Sequence, residues 1–273
     1  MQVLASLPSP SSNGFEIGPL DVRYYGLCYV AAVVAAVYIA GRRWHALGGE
    51  RPLAEDIALW GFPAGLIGGR LYFVLTSWSE VPDEWWGVFA VWEGGLGLPG
   101  GIAAGVLVGV WRLRRLGVDV PLFMDAAAPG ILVAQAIGRV GNWFNQELYG
   151  RPTSLPWGLE IAPDNRPERY ADEPTFHPAF LYEIVWDLGL AAALVWLGHH
   201  SRIRPPGLFA LYVAGYSIFR VFIETLRVDP AKELLGLRLN FYVMAFVFAA
   251  AVLWFVRTQR AADGRRRAKP APA

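Results

Sequence analysis

Four arginines lie within apolar stretches of the sequence or directly at the end of one, namely Arg70, Arg139, Arg220 and Arg227. A charged side chain at the centre of a membrane helix costs roughly 2.5–3.5 kcal/mol even on lenient insertion scales, so such residues are candidates for function. The planar guanidinium presents a fork of donors that matches a phosphate group. These residues therefore predict binding of a phosphate-bearing anion at a membrane.

The first cluster of polar residues is the run 138–150, Gly-Arg-Val-Gly-Asn-Trp-Phe-Asn-Gln-Glu-Leu-Tyr-Gly. On a helix, steps of three and four residues place four of its side chains on one broad face: Arg139, Asn142, Asn145 and Gln146. Gly138 and Gly141 would remove bulk beside that face, so that a lipid headgroup could approach the backbone. The alternative is a polar helix end with small residues for helix packing, which explains the glycines but not the polar side chains.

The second cluster is Arg220, Glu224 and Arg227. Spacings of four and three residues place all three side chains on a narrow stripe of one helix. Glu224 could pair with both arginines, which would lower the cost of burial and leave one positive charge for an anionic ligand. The alternatives are a structural ion-pair network between helices and, for Arg227, a side chain that reaches from the helix end to the interface.

Composition indicates an integral membrane protein. The chain has 273 residues, of which 55% are apolar and 17% are charged, whereas soluble domains average roughly 25% charged residues. This excludes a disordered chain, a coiled coil and a basic nucleic-acid-binding domain. We expect an all-α protein with seven transmembrane helices, because seven apolar stretches are each about 17–24 residues long: 24–40, 57–77, 95–111, 121–144, 179–197, 207–226 and 239–256.

The positive charges predict the orientation of these spans. Lys and Arg residues outside the stretches concentrate in alternate connections and at the C-terminus, which predicts an N-terminus outside and a cytoplasmic C-terminus. We expect one membrane domain over residues 1–256. Residues 149–177 would form a small extracytoplasmic loop domain, in which 157–161 could be a short strand. Residues 257–273 would be a basic, disordered cytoplasmic tail.

The sequence contains no motif that predicts a metal or a cofactor. The single cysteine, Cys28, excludes an intrachain disulfide and a cysteine-rich metal site. The sequence has no arrangement typical of a Ser-His-Asp hydrolase, a metal centre or a phosphate-binding loop, so we expect no metal and no cofactor. Two other functions remain as alternatives. An anion or lipid transporter would also use intramembrane arginines, whereas a membrane scaffold would leave the polar clusters unexplained. The odd number of spans and the lack of an inverted repeat weigh against a transporter.

The run 138–150 closely resembles the motif Gly-Arg-x-Gly-Asn-Phe-x-Asn-x-Glu-x-x-Gly of bacterial prolipoprotein diacylglyceryl transferases, with Trp143 at the Phe position. The similarity covers nearly the whole chain. It extends through Tyr25-Gly26-Leu27, Gly69-Arg70-Leu71, Glu93-Gly94-Gly95, His177-Pro178, Leu181-Tyr182-Glu183 and the segment from Arg220 to Arg227. The seven spans and the orientation of that family agree with the count made from the apolar stretches.

The resemblance implies a reaction and its partners. Such an enzyme transfers the sn-1,2-diacylglyceryl group of phosphatidylglycerol to the lipobox cysteine of a prolipoprotein signal peptide, forming a thioether and releasing glycerol 1-phosphate. Arg139 resembles the arginine that binds phosphatidylglycerol, and Arg220 resembles a second essential arginine, supported by Glu224 and Arg227. Four further residues match positions on which the family depends: Tyr25, Asn142, Glu147 and Gly150.

One departure concerns the proton acceptor. Many members of that family carry a functional histidine in a Gly-Gly-x-x-x-His-Gly-Gly segment, and here Pro99 stands at that position. A free thiol has a pKa of about 8.5, and nearby arginine charge would increase its ionised fraction. Either arginine charge alone ionises the thiol, or His177 or Tyr25 accepts the proton. The alternative role for His177 is a hydrogen bond at the start of a helix.

Overall fold

The computed structural model describes residues 6–18, 20–91 and 94–267. Glu93, part of the resemblance, and residues 268–273, part of the expected tail, lie outside them. The described chain contains seven α-helices, so each of the seven apolar stretches is confirmed as helical. They are α1 (Tyr24–Ala46), α2 (Pro52–Thr76), α3 (Leu98–Arg115), α4 (Val120–Phe144), α5 (Ala179–His200), α6 (Gly207–Leu226) and α7 (Leu239–Arg267).

Six of the seven described helices are long and apolar enough to cross a membrane. The exception is α3, because its 18 residues include three arginines in the last turn. Pro99 lies at the start of α3, where the missing N–H costs no helical hydrogen bond. At the other end of the chain, α7 continues to Arg267, into the segment that we expected to be disordered from residue 257.

Three antiparallel two-stranded sheets accompany the helices in the described chain. The expected strand within residues 157–161 is present as one strand of the second sheet. The pairs are β1 (Gly14–Ile17) with β2 (Leu20–Arg23), β3 (Leu159–Glu160) with β4 (Thr175–Phe176), and β5 (Glu233–Leu234) with β6 (Leu237–Arg238). Residue Leu7 adds a parallel bridge to β3 through a hydrogen bond from its N–H to the Gly158 carbonyl, at 2.8 Å.

The chain divides into two compact units, residues 1–39 with 127–273, and residues 40–126. In the second unit, glycines let α2 and α3 approach closely: a Cβ on Gly68 would lie 2.6 Å from the Gly100 carbonyl oxygen. Arg70, an intramembrane arginine with no partner predicted from the sequence, donates hydrogen bonds to four backbone carbonyls. These belong to Gly87, Val88, Gly94 and Gly95. Arg70 therefore has a structural role in fixing the connection between the two helices.

Two buried clusters stabilise the first unit. One joins α4, α5 and α6, the helices that carry the charged residues described below. Its members are Ala128, Leu132, Ala191, Leu194 and Leu208. The other joins the segment between α4 and α5 to the residue Val228, which follows α6. Its members are Tyr149, Leu159, Ile161, Phe176 and Val228. Since fully burying a large apolar side chain contributes roughly 1.5–3 kcal/mol, this cluster fixes the segment against the end of α6.

Candidate active site

Seven charged side chains in the first unit form a continuous series of ion pairs, which we call the ion-pair network. They come from α4, α5, α6 and the connection that leads into α7. In order of contact they are Arg139, Glu183, Arg220, Glu224, then Arg227 and Arg238, which both meet Asp229. Positive and negative groups alternate along the series, as the burial of several charges requires.

Glu183 bridges the two arginines for which the sequence predicted chemistry. One of its carboxylate oxygens accepts from Arg139 Nε and the other from Arg220 Nη1. Glu183 is 4% exposed and Arg220 is 8% exposed. Two guanidinium groups from different helices are therefore held side by side in a buried site by one carboxylate.

Glu224 continues the network and is itself 3% exposed. It accepts hydrogen bonds from Arg220 and, at 2.8 Å, from Arg238 Nε, and it lies 3.6 Å from Arg227 Nη1. The prediction that Glu224 pairs with both Arg220 and Arg227 is confirmed. Arg238 was missed because, in the sequence, it lies in a charged connection rather than in an apolar stretch.

Asp229 closes the network outside the helices. It accepts from Arg227 Nε at 2.7 Å and from Arg238 Nη2 at 2.8 Å. Burial alone would raise the pKa of Asp229, but the hydrogen bonds and charges of Arg227 and Arg238 outweigh burial and hold this pKa below its ordinary value. Asp229 is therefore ionised at neutral pH and fixes both arginines.

The amides of the run 138–150 extend the network from Arg139. Arg139 Nη1 donates to Asn142 Oδ1 at 3.3 Å. Asn142 Nδ2 in turn donates to Glu147 Oε1 at 2.8 Å, and Asn145 Nδ2 donates to the same oxygen at 3.2 Å. Arg139 and Asn142 are thus brought together as the sequence predicted, and Glu147, which the predicted helical face did not include, joins them.

The prediction that this run is one helical face is wrong beyond Phe144, where α4 ends. Gln146 has a positive φ of 51°, so the backbone turns and the Gln146 side chain leaves the face of Arg139. It donates to the Pro10 carbonyl at 3.0 Å and accepts from the Ala162 N–H at 2.8 Å. The turn brings Glu147 back onto Asn142.

Tyr25, the second residue of α1, occupies space that we expected to be open to a lipid headgroup. Its ring packs on Gly141, where a Cβ would lie 2.9 Å from the Tyr25 Cε2 atom. Its hydroxyl lies 3.4 Å from the Tyr29 hydroxyl. Around Gly138, in contrast, a Cβ would meet nothing within 4 Å. Of the two glycines, Gly138 is thus the one with open space beside it.

Gly150 and His177 meet through the backbone. The Gly150 N–H donates to the His177 carbonyl at 2.9 Å, and a Cβ on Gly150 would lie 2.7 Å from the His177 Cβ. Gly150 also forms a β-bridge with Arg227, so a Cβ at this position would crowd His177 directly beside that bridge.

The His177 side chain forms a hydrogen bond with Tyr182, outside the network. Its Nδ1 lies 3.0 Å from the Tyr182 hydroxyl, which also accepts from Trp157 Nε1 at 3.0 Å. Burial lowers the pKa of His177, so the ring is neutral at neutral pH. This geometry fits a hydrogen-bonding role at the start of α5.

Two acidic residues of α5 were missed as site residues, Glu183 and Asp187. Asp187 is 1% exposed, and its Oδ2 has no hydrogen-bond partner in the part of the chain that the structure describes. Acids four residues apart within an apolar helix were the available signal, because they cost as much to bury as arginines do.

A family model described as prolipoprotein diacylglyceryl transferase matches residues 13–257. The chain belongs to the prolipoprotein diacylglyceryl transferase family. The resemblance drawn from the run 138–150 is thereby confirmed, and the matched range contains the whole ion-pair network. Membership in a transferase family does not favour the transporter alternative.

Several relatives of known name cover most of the chain. It is 49% identical to phosphatidylglycerol–prolipoprotein diacylglyceryl transferase 2 of Streptomyces coelicolor, over 93% of the chain and 81% of that protein. It is 47% identical to the transferase of the same name in Streptomyces griseus, over 96% of the chain and 80% of that protein. For the Cutibacterium acnes transferase the identity is 46%, over 93% of the chain and 87% of that protein.

Proposed function

We propose that this enzyme transfers the sn-1,2-diacylglyceryl group of phosphatidylglycerol to the lipobox cysteine of prolipoproteins, the first step of lipoprotein maturation. The names of its relatives state both substrates. The structural observation that carries the proposal is the buried pair of guanidinium groups, Arg139 and Arg220, held together by Glu183. Two adjacent arginines present the charge and the donor geometry that a phosphate group requires.

The charge balance of the reaction explains why arginines are needed. The thiolate sulfur forms a bond to the sn-3 carbon of the diacylglyceryl group, and the bond from that carbon to the phosphate oxygen breaks with its electron pair going to the oxygen. A phosphodiester with one negative charge thereby becomes glycerol 1-phosphate, a phosphomonoester with about two. Fixed positive groups aimed at the charge that develops stabilise the transition state more than the bound lipid.

The other site residues support these two arginines in our proposal. Glu183 and Glu224 set the positions of the arginines, Arg227 supports Glu224, and Asn142 with Glu147 orients Arg139. Two further positions act through packing: Gly150 through its close backbone contacts and Tyr25 through Gly141.

We assign ionisation of the substrate thiol to the arginine charges. An adjacent cation lowers the pKa of a thiol and increases the thiolate fraction. The His177 side chain forms a hydrogen bond with Tyr182 rather than with the network, which supports this assignment over a histidine base. Tyr25 lies within electrostatic range of Arg139 and Glu147, so variants of Tyr25 and His177 belong in the same assay series.

The decisive experiment for this function is transfer of a labelled diacylglyceryl group to a peptide. Purified enzyme is mixed with labelled phosphatidylglycerol and a lipobox peptide, with a peptide that has serine at the cysteine position as control. We expect label on the cysteine peptide alone, since the hydroxyl is a much weaker nucleophile than the thiolate. Absence of transfer, under conditions where the Streptomyces coelicolor relative is active, would contradict the proposal.

The proposed topology has seven spans in a bacterial plasma membrane, with the N-terminus outside and the C-terminus in the cytoplasm. It includes α3, whose 18 residues span about 27 Å at 1.5 Å per residue. The three arginines in its last turn would then reach the headgroup region. The segment 149–177 would lie outside the cell in this orientation.

Cysteine labelling tests this orientation. In a Cys28→Ser background, which removes the single native cysteine, Ser154→Cys and Ser201→Cys place one thiol each on exposed residues at opposite ends of α5. We expect a membrane-impermeant maleimide to label the Ser154→Cys variant in protoplasts with an intact membrane, and to label the Ser201→Cys variant only after the membrane is permeabilised. The reverse pattern, or labelling of both in intact cells, would show the topology to be wrong.

A further inference from the structure

A charged cavity of about 600 Å³ lies where α6 ends and α7 begins. Its walls come from three parts of the first unit: the segment between α4 and α5, the last turn of α6, and the connection into α7. The lining residues that matter here are Arg151, Arg169, Glu224, Arg227, Asp229 and Arg238. Most of this lining is outside the candidate membrane spans, so the cavity lies at the membrane–water boundary.

Two of the wall arginines have no carboxylate partner among the described residues. Arg151 is exposed, and its side chain makes no hydrogen bond or ion pair within the part of the chain that the structure describes. Arg169 donates to the Val228 carbonyl at 2.7 Å and lies 5.0 Å from the centre of the Tyr170 ring. Arg227 and Arg238, by contrast, are neutralised by Asp229 and Glu224. Glu233 also lines the cavity, so its four arginines face three acids and one positive charge remains available to an anion.

The ion-pair network joins this cavity to the proposed reaction site. Glu224 lines the cavity and also pairs with Arg220, which shares Glu183 with Arg139. The distance from the reaction site to the cavity is thus bridged by alternating arginines and carboxylates. A path for a phosphate group between the two sites would be lined by these guanidinium groups, each of which is paired with a carboxylate.

The reaction creates a need for such a path. Glycerol 1-phosphate has more charge than the lipid from which it is cut, so the same arginines attract it more strongly than they attract phosphatidylglycerol. It has no acyl chain, so it must leave toward water rather than into the bilayer. A second set of arginines near water would draw the product away from Arg139 and Arg220.

We propose that the cavity lined by Arg151 and Arg169 binds the phosphomonoester product, glycerol 1-phosphate, on its way out of the enzyme. The inference rests on the proposed function, which supplies that product. A phosphate group is shared by glycerol 1-phosphate, inorganic phosphate and the phosphatidylglycerol headgroup, so the test separates these three.

The first measurement is product inhibition of transfer by added glycerol 1-phosphate. The variant is Arg151→Gln combined with Arg169→Gln, and the matched control is Arg202→Gln, an exposed arginine in the connection between α5 and α6. We expect the double variant to need about tenfold more glycerol 1-phosphate for half-inhibition, from the loss of charge-assisted hydrogen bonds. The control should match wild type both in half-inhibition and in its initial rate without added product.

Arg151→Gln alone keeps the test valid if the double variant does not fold, because Arg151 is exposed and unpartnered among the described residues. We expect a smaller shift in the same direction. Inhibition of both variants at the wild-type concentration would overturn the inference. If wild-type enzyme shows no transfer at all, the proposed function fails instead, so the two failures are distinguishable.

The second measurement is equilibrium dialysis of labelled glycerol 1-phosphate against the full-length enzyme, which needs no turnover. We expect binding that is weakened in the double variant and displaced by unlabelled glycerol 1-phosphate at lower concentration than by inorganic phosphate. Equal displacement by inorganic phosphate would show a general anion site and overturn the assigned ligand. Displacement by phosphatidylglycerol in nanodiscs, with no effect of the double variant, would place the bound product at the lipid site and also overturn it.

Discussion

Arg139→Ala will reduce diacylglyceryl transfer by at least about 100-fold, the loss typical when one donor to a developing oxyanion is removed. Arg139 is one of the two guanidinium groups that Glu183 holds in the buried site, and its side chain is 19% exposed, so it can meet a ligand. Removing the guanidinium takes away a positive charge that stabilises the transition state more strongly than it stabilises the bound lipid. The measurement is kcat/KM for phosphatidylglycerol with a lipobox peptide as acceptor.

Two further variants make the Arg139 result specific. Arg139→Lys retains the charge but loses the planar fork of donors, and we expect its activity to lie between those of Arg139→Ala and wild type. Arg114→Ala removes an exposed arginine at the end of α3 and should leave transfer unchanged. Thermal unfolding in detergent identifies variants that fail to fold. A folded Arg139→Ala enzyme with near wild-type transfer would show that the site is assigned wrongly.

Glu183→Gln will lower kcat by about tenfold or more and at the same time lower the KM for phosphatidylglycerol. Glu183 is the only described carboxylate that contacts both Arg139 and Arg220. Without its charge, the two arginines attract the anionic headgroup more strongly in the ground state, while their relative positions are no longer fixed for the transition state. A fall in both constants is the signature of that change.

The split between kcat and KM separates positioning by Glu183 from a purely structural role. A variant that merely unfolds more easily would have fewer active molecules, so its apparent kcat would fall with an unchanged KM. Glu183→Asp retains the carboxylate and should recover part of kcat, and Glu173→Gln, on an exposed acid of the connecting segment, is the matched control. Wild-type kcat and KM in Glu183→Gln would contradict the role that we assign to it.

Local features of the chain were predictable from the sequence because they depend on residues close together along it. Apolar stretches of membrane-spanning length predicted all seven described helices. The four-residue spacing of Arg220 and Glu224 predicted their ion pair, since such side chains are neighbours on any helix. The run 138–150 predicted the family, because its polar residues are unusual in an apolar segment.

Contacts between elements could be decided only by tertiary packing. Glu183 lies on α5, and nothing in its local sequence shows that α4 and α6 bring Arg139 and Arg220 to its two oxygens. In the sequence, Arg238 is one of several charged residues in the connection between α6 and α7, but the fold places its side chain against Glu224. The positive φ of Gln146 ends the expected helical face. The sequence could not predict this turn, because the position is not occupied by glycine, the residue that usually adopts a positive φ.

The sequence by itself determined the helices, the family and the two arginines around which we build the chemistry. The tertiary structure decided which carboxylates hold those arginines, and it placed the cavity with Arg151 and Arg169 at the end of the same network. The physical reason is the separation along the chain of the residues that determine each property. Helix formation and the cost of an intramembrane charge are local properties, whereas the partner that compensates a buried charge is chosen by how helices distant in sequence pack against one another.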